Sequence, residues 1–172
     1  YQFEAIHPFS DGNGRTGRVL SVLYLVEKGY LEWPILYLSR YILRHKSDYY
    51  YYLGAVSQRN NWKGWLEFML NAILKTAIYT LELIDRIVEA EDFVDAKVRR
   101  DLPSLYKKGL LRALFRQPYT TPKILSNLGI GSEKTCRKYL EDMAGTPRIL
   151  EKLTVRGRVY YANLELIKAL EG

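Results

Sequence analysis

The stretch His-Pro-Phe-Ser-Asp-Gly-Asn-Gly-Arg-Thr-Gly-Arg, residues 7–18, constrains the fold more than any other part of the sequence. Within it, Asp11-Gly12-Asn13-Gly14 is a strong turn signal, because glycine and asparagine tolerate positive φ and aspartate bonds its neighbouring backbone. An apolar run at 19–26 follows and ends before Gly29, which predicts a buried helix that begins near Gly14. The sequence therefore predicts a glycine-rich turn that leads directly into a helix N-terminus.

This predicted turn has the chemistry of a phosphate site. Free N–H groups and partial positive charge at a helix N-terminus attract anions, and glycine lets phosphate oxygens approach the backbone. Arg15 and Arg18 share a helix face and match a chain of phosphates. Asp11 is a carboxylate of the kind that Mg²⁺ takes together with phosphates, and His7 can accept a proton from a hydroxyl. Taken one at a time, these features have simpler explanations. The turn is typical of an ordinary loop, His7 of a structural histidine, and Arg15 with Arg18 of a solvated helix face.

The spacing of these residues resembles the signature of Fic-domain proteins, H-x-F-x-[DE]-G-N-G-R-x-x-R, and every specified position is met. The resemblance implies AMPylation, in which AMP moves from ATP to a Tyr, Ser or Thr hydroxyl of a protein and pyrophosphate leaves. It implies that His7 is the general base, that Asp11 holds Mg²⁺ and that Phe9 anchors the loop in the core. The implied nucleotide-binding residues of the motif are Asp11, Gly12, Asn13, Gly14, Arg15, Thr16, Gly17 and Arg18.

The roles within that set also follow from the resemblance. Asn13, with the backbone amides of residues 12–15, is expected to form an anion hole for the α-phosphate. Arg15 and Arg18 are expected to engage the β- and γ-phosphates. Fic proteins that transfer other phosphate-containing groups or remove AMP remain open as alternatives.

Four consecutive tyrosines, residues 49–52, cannot all face the core of a helix. A tyrosine ring offers a flat apolar face that suits a purine base, although the residues by themselves favour an aromatic helix packed against its neighbours. Fic proteins often have Tyr-Tyr-x-x-Leu on the helix that lines the adenine pocket, and Tyr49, Tyr50 and Leu53 match that pattern. The resemblance therefore adds Tyr49 and Tyr50 to the expected nucleotide-binding residues.

The helical pattern predicts a mainly α chain in two parts. A short helix is expected over 35–43 after Pro34, and a long one begins after Asn60-Asn61 and continues to about residue 88. Residues 1–98 have 11 Lys+Arg against 12 Asp+Glu, whereas residues 99–172 have 15 against 7, so the second part is basic. We therefore expect the C-terminal part of a Fic core at 1–98 and a second domain at 99–172.

The second part resembles a winged helix-turn-helix domain, which follows the core in Fic proteins of one common architecture. A helix is expected over 105–115, a second one opens at Thr121-Pro122, and a third begins after Ser132. Residues 149–155 and 159–161 flank Arg156-Gly157-Arg158 as a tight hairpin. Such a domain could bind DNA or could act as a protein-interaction module, and the sequence leaves both functions open. The candidate DNA contacts are Lys134, Arg137, Lys138, Arg156 and Arg158.

Other features set broader expectations. Cys136 is the single cysteine, which excludes an intramolecular disulfide and suits a small core residue in a reducing cytoplasm. The apolar runs are too short for a membrane span, and no export leader opens the sequence. Because Tyr1 starts in mid-helix, we expect the C-terminal part of a longer protein whose flap precedes the motif, so activity of these 172 residues alone is not implied. The expected partners are ATP, an unidentified target protein, the protein itself as a substrate, and a second copy in a homodimer.

Overall fold

The computed structural model, which describes residues 1–145 and 149–171, is mainly α-helical with a small antiparallel sheet. The prediction of a mainly α chain with a hairpin is therefore confirmed. The chain divides into two units, Tyr1–Glu82 and Leu83–Gly172. A single helix runs through the expected domain boundary at 98, so that boundary stays a prediction. Within the described ranges, no helix combines the length and apolarity that a membrane span requires.

The first unit is built from helices. They are α1 (Gln2–Ile6), α2 (Asn13–Glu27), α3 (Leu38–Arg44), α4 (Lys46–Arg59) and the start of α5 (Trp62–Asp101). Helix α5 begins where the sequence predicted, and the Asn61 carboxamide oxygen accepts a hydrogen bond from the Gly64 N–H at 3.1 Å.

The helix expected over 35–43 is wrong in its first three residues, because α3 starts only at Leu38. The Ile35 N–H donates to the Trp33 carbonyl at 2.8 Å, a tight local turn around Pro34 that a helix does not contain. Ile35 and Tyr37 are exposed, whereas Leu36 is buried. The segment therefore runs along the surface and is fixed by one apolar side chain.

The core of the first unit is rich in aromatic side chains. Tyr49 packs its ring against Trp65 and Phe68, with centroids 5.5 Å and 6.2 Å apart. Val22 from α2 and Ile42 from α3 complete the same cluster. This core fixes α2, α3 and α4 against the start of α5, and these helices position the motif.

The second unit contains the rest of α5 and the remaining elements. These are a 3₁₀ turn (Pro103–Leu105), α6 (Lys108–Leu114), β1 (Tyr119–Thr120), α7 (Pro122–Asn127), α8 (Glu133–Ala144), β2 (Leu150–Val155), β3 (Arg158–Asn163) and α9 (Leu164–Glu171). The helix expected over 105–115 is shorter than predicted. Both predicted caps are confirmed: Thr121 Oγ1 accepts from the Ile124 N–H at 3.3 Å, and Ser132 Oγ accepts from the Thr135 N–H at 3.2 Å.

The sheet has the strand order β1-β3-β2, with both pairs antiparallel. Strands β2 and β3 form the predicted hairpin, in which Val155 pairs with Arg158. Arg156 and Gly157 have φ of 50° and 74°, as a two-residue type I′ turn requires. The predicted helical position of Cys136 is also confirmed, and its side chain is fully buried in the core of this unit.

Candidate functional site

A cleft of about 310 Å³ in the first unit brings the motif together with helices α3 and α4. Its wall consists of His7, Ser10, Asp11, Gly12, Asn13, Gly14, Arg15, Arg18, Ile42, Leu43, Lys46, Tyr49 and Tyr50. The motif and the two tyrosines, which are more than 30 residues apart in sequence, therefore meet in one site. Lys46 also lies in the cleft wall and was not predicted, although its position three residues before Tyr49 on a helix was the available signal.

The loop between α1 and α2 is shaped by two left-handed residues. His7 ends α1 with φ 50°, and its backbone N–H donates to the Phe3 carbonyl at 3.1 Å. Gly12 has φ 84° and directly precedes α2, and a side chain would be strained in that conformation. The Thr16 N–H and hydroxyl both donate to the Gly12 carbonyl, at 2.9 Å and 3.1 Å. This glycine therefore starts the helix whose first residues line the cleft.

Phe9 does not anchor the loop in a core, contrary to the expectation. Its side chain is 51% exposed, and the aromatic ring nearest to it is that of Phe3, with centroids 6.1 Å apart. Phe9 follows the short helix α1, in which no residue is buried. Asn13, four residues later, anchors the loop instead.

Asn13 holds the loop through its buried side chain. Its Oδ1 accepts from the Phe9 N–H at 2.9 Å, and its Nδ2 donates to the Phe9 carbonyl at 2.5 Å. The residue is only 2% exposed, so water does not compete for these bonds. The carboxamide thus works as a clamp on the loop backbone in this structure, and its expected part in an anion hole stays a prediction.

The charged groups of the motif are exposed to solvent. Asp11 accepts from the Gly12 N–H at 2.6 Å and pairs with Arg15 at 3.0 Å between Oδ2 and Nη2. The two side chains are 90% and 75% exposed, so this ion pair is weak and either group can exchange it for a ligand. Arg18 is more firmly held, because its Nε donates to Ser39 Oγ at 2.9 Å.

The other two motif glycines, Gly14 and Gly17, serve different purposes. A Cβ on Gly14 would lie 3.0 Å from Arg18 Nη1, so this glycine makes room for the guanidinium on the cleft side. Gly17 faces the other way, and a Cβ there would clash with the Glu4 carboxylate of α1. Neither Thr16 nor Gly17 lies in the cleft wall. Their expected contact with nucleotide stays a prediction, and their visible role is to start α2 and to pack α1 against it.

The tyrosines divide between core and surface, as the sequence required. Tyr49 is 6% exposed, and burial, reinforced by the negative charge of the nearby Glu4 carboxylate, raises its pKa far above the usual value. Tyr50 is 59% exposed, and Lys46 Nζ lies 5.9 Å from its ring centroid. Tyr50 therefore offers an exposed ring at the cleft, whereas the ring of Tyr49 is largely buried in the core.

One carboxylate is available for a metal in the cleft. Asp11 keeps free lone pairs on both oxygens, and it fits a Mg²⁺ ion that takes its other ligands from phosphates and water. Across residues 1–145 and 149–171, no group of three His, Cys, Asp or Glu side chains is placed to hold a metal by itself. A divalent ion at this site would therefore depend on a bound phosphate chain.

The five candidate DNA-contact residues of the second unit are exposed. Arg137 makes an ion pair of 3.6 Å with Glu133 on the preceding turn of α8. The two hairpin arginines lie beside the β2–β3 turn. Exposure by itself does not test whether these residues contact DNA, so their expected contact with DNA stays a prediction. The five candidate residues are Lys134, Arg137, Lys138, Arg156 and Arg158.

Comparison with known proteins gives matches at both ends of the chain. Residues 1–25 match the Fic/DOC family, and residues 90–166 match the C-terminal domain of SoFic-like protein adenylyltransferases. A probable protein adenylyltransferase of Aquifex aeolicus is 31% identical over 108 residues, which are 60% of this chain and 32% of that protein. Proteins named protein adenylyltransferase Fic from Aedes aegypti and Culex quinquefasciatus are 40% identical over 58 residues.

The last two matches cover 34% of this chain and 10% of each relative. The chain thus spans about a third of the bacterial relative and about a tenth of the two insect ones. The family match at 1–25 contains the entire motif and the start of the helix behind it. Together with the second match, it identifies the chain as a Fic-domain protein with a SoFic-like C-terminal domain.

Proposed function

We propose that this protein transfers AMP from ATP to a hydroxyl group of a protein. The observation that carries the proposal is the single cleft whose wall contains His7, Asp11, both arginines of the motif and the first residues of α2. Two of the matched relatives are named protein adenylyltransferases and a third is named a probable one. ATP is the substrate, and the target is another protein or the protein itself.

His7 accepts the proton of the target hydroxyl as that oxygen attacks the α-phosphorus. The new oxygen–phosphorus bond replaces the bond from the α-phosphorus to the bridging oxygen, and pyrophosphate leaves with the electron pair. Arg15 releases Asp11 to meet the phosphate chain, and Arg18, oriented by Ser39, binds its far end. The free amides at the start of α2 stabilise the charge on the α-phosphate.

A Mg²⁺ ion, when bound, neutralises charge on the phosphates and on the leaving pyrophosphate. Asp11 is the residue that would hold it. The exposed ring of Tyr50, beside Lys46, supplies a surface against which adenine can stack.

The test uses ATP labelled at the α-phosphate and, separately, at the γ-phosphate. We expect protein labelling from the α position only, and we expect His7→Ala to reduce its rate by roughly 10²- to 10⁴-fold, the usual contribution of a general base, with ATP affinity nearly unchanged. Arg18→Ala should instead weaken ATP binding or its alignment. Labelling from the γ position, or a His7→Ala variant that keeps most of its rate, would refute the mechanism.

A second candidate function is a winged-helix DNA-binding regulator whose Fic segment senses a nucleotide. It is favoured by the exposed basic side chains on α8 and at the hairpin turn. Such binding should require neither His7 nor ATP, and it should fall steeply with salt. Gel-shift measurements over a salt series with Lys134→Ala and Lys138→Ala distinguish it from AMP transfer.

A further inference from the structure

Helix α1 is too short to be stable by itself, and the base of the motif follows it directly. It has five residues, each of them at least partly exposed, whereas an isolated helix shorter than about 12 residues is marginal in water. His7 caps its C-terminus, and the His7 N–H donates to the Phe3 carbonyl at 3.1 Å. The contacts that hold α1 in place therefore also decide where the His7 backbone lies.

These contacts include a close approach of α1 to Gly17 of α2. A Cβ on Gly17 would clash with Glu4 Oε1, and it would lie 3.1 Å from Glu4 Cδ and 3.3 Å from Phe3 Cδ1. On Gly54 of α4, by contrast, the nearest neighbour of a Cβ would be Gln58 Nε2 at 3.8 Å. Glycine at position 17 thus makes the space in which the Glu4 carboxylate lies.

The surroundings of Glu4 keep its side chain at this position. Glu4 is half-buried and lies in the wall of a cavity of about 510 Å³, together with apolar side chains such as Leu20 and Met69. A carboxylate in such surroundings is costly unless polar groups accompany it. Arg18 and Tyr49 lie in the same wall. Burial and, after it, the negative charge of Glu4 raise the pKa of Tyr49, as expected for a carboxylate near that hydroxyl. Glu4 of α1 therefore lies among groups from both α2 and α4.

We propose that Glu4 is a positioning residue for His7. Its carboxylate packs on the Gly17 backbone and holds α1 against α2, and this contact fixes the backbone that carries the imidazole relative to the first residues of α2. Glu4 lies outside the wall of the motif cleft, so it acts through His7 and not on the nucleotide. The kinetic consequence rests on the proposed AMP transfer, whereas the structural consequence does not.

The first test measures the order of α1 without any nucleotide. Nitrogen-15 relaxation of wild type, Glu4→Ala and Glu67→Ala gives the order parameters of the backbone amides of Ile6 and His7. We expect Glu4→Ala to lower them from about 0.85, a rigid value, to below about 0.6, although alanine itself favours a helix. Glu67→Ala, which removes an exposed carboxylate from α5, should leave them unchanged. Unchanged order parameters in Glu4→Ala would overturn the proposal.

The second test fills the space at Gly17. Gly17→Ala should displace the Glu4 carboxylate and lower the same order parameters, whereas Gly54→Ala, which adds the same methyl group where there is room for it, should not. In the double variant Glu4→Ala, Gly17→Ala the carboxylate is already gone, so the loss of order should be no larger than in Glu4→Ala alone. Additive losses would mean that positions 4 and 17 act independently, and the proposal would fail.

The third test separates positioning from nucleotide binding. With ATP labelled at the α-phosphate, Glu4→Ala should lower kcat by roughly 10- to 100-fold, because a displacement of about 1 Å at a reacting group can cost about that much. The KM for ATP should stay nearly unchanged, since the arginines of the motif are not carried by α1. A KM that rises while kcat stays unchanged would indicate a binding role and contradict the proposal.

Glu4→Gln is the conservative variant for both readouts. Its carboxamide has the shape of the carboxylate and also accepts a hydrogen bond, so it should restore most of kcat and most of the order of α1. A Glu4→Gln variant as slow and as mobile as Glu4→Ala would mean that packing on Gly17 does not position the base, and the proposal would be wrong. If wild type transfers no label at all, the proposed AMP transfer fails, and the order parameters still decide the role of Glu4.

Discussion

Replacement of Asn13 by alanine distinguishes a clamp on the motif loop from a direct contact with phosphate. The side chain makes two hydrogen bonds to the Phe9 backbone, at 2.9 Å and 2.5 Å, and it is 2% exposed. Each such bond contributes about 1 kcal/mol, and the buried partners would be left unpaired, so we expect Asn13→Ala to destabilise the loop by about 2 to 3 kcal/mol. This loss should occur without any nucleotide.

The assay is native-state hydrogen exchange at the Thr16 amide, which bonds to the Gly12 carbonyl at 2.9 Å and reports on the first turn of α2. If this amide exchanges through opening of the loop, its exchange rate should rise by about 30- to 150-fold, which is the same free energy expressed as a ratio. Asn71→Ala is the matched control, because its carboxamide donates to the Glu67 carbonyl from an exposed position and its loss should change little.

One result would refute this reasoning. If Asn13→Ala leaves Thr16 exchange unchanged in the free protein but weakens ATP binding strongly, the carboxamide acts on the phosphate and not on the loop. The clamp would then be a minor feature of the motif.

Two further predictions concern the second unit. Glu141 accepts from Lys152 and from the Tyr161 hydroxyl, and these bonds lower its pKa below the ordinary value, so the stability it gives should be complete above about pH 5 and lost as the pH falls through the folded-state pKa. The free energy of unfolding of wild type should therefore exceed that of Glu141→Gln above about pH 5, and the difference should shrink as the pH falls, whereas Glu133→Gln should keep the wild-type profile; coincident profiles for all three proteins would contradict this. Ser132→Ala removes the cap of α8 and should lower the free energy of unfolding of this unit by about 1 kcal/mol in urea denaturation, and a loss below 0.3 kcal/mol would show that the cap is dispensable.

The parts of the fold that local chemistry decides were predicted from the sequence. Thr121 and Ser132 cap helices because a short side-chain oxygen reaches an amide two or three residues ahead, which needs no distant partner. The hairpin turn at Arg156-Gly157 is equally local. Features that depend on distant contacts were missed. Strand β1 has two residues and exists only because β3 pairs with it, with Thr120 opposite Tyr161.

The candidate site shows the same division. The motif predicted which residues gather, because their spacing is fixed within one loop and one helix. It did not predict that the Asn13 side chain would be buried and bonded to the Phe9 backbone, since burial of that carboxamide depends on the path of the whole loop. It also did not predict how the tyrosines divide, because the burial of Tyr49 depends on Trp65 and Phe68 from another helix.

Because the backbone of His7 is left-handed, the substitutions at position 7 that keep the protein stable differ from those that would keep it active. A residue with φ near 50° costs about 1 to 2 kcal/mol for most side chains, whereas glycine and asparagine adopt this conformation readily. In a library of all substitutions at position 7, His7→Gly and His7→Asn should therefore rank among the most stable variants, and β-branched residues among the least stable. None of them can replace the imidazole, so the stability ranking and the transfer ranking should be uncorrelated. A library sorted only by abundance in cells would thus be enriched in well-folded proteins without activity.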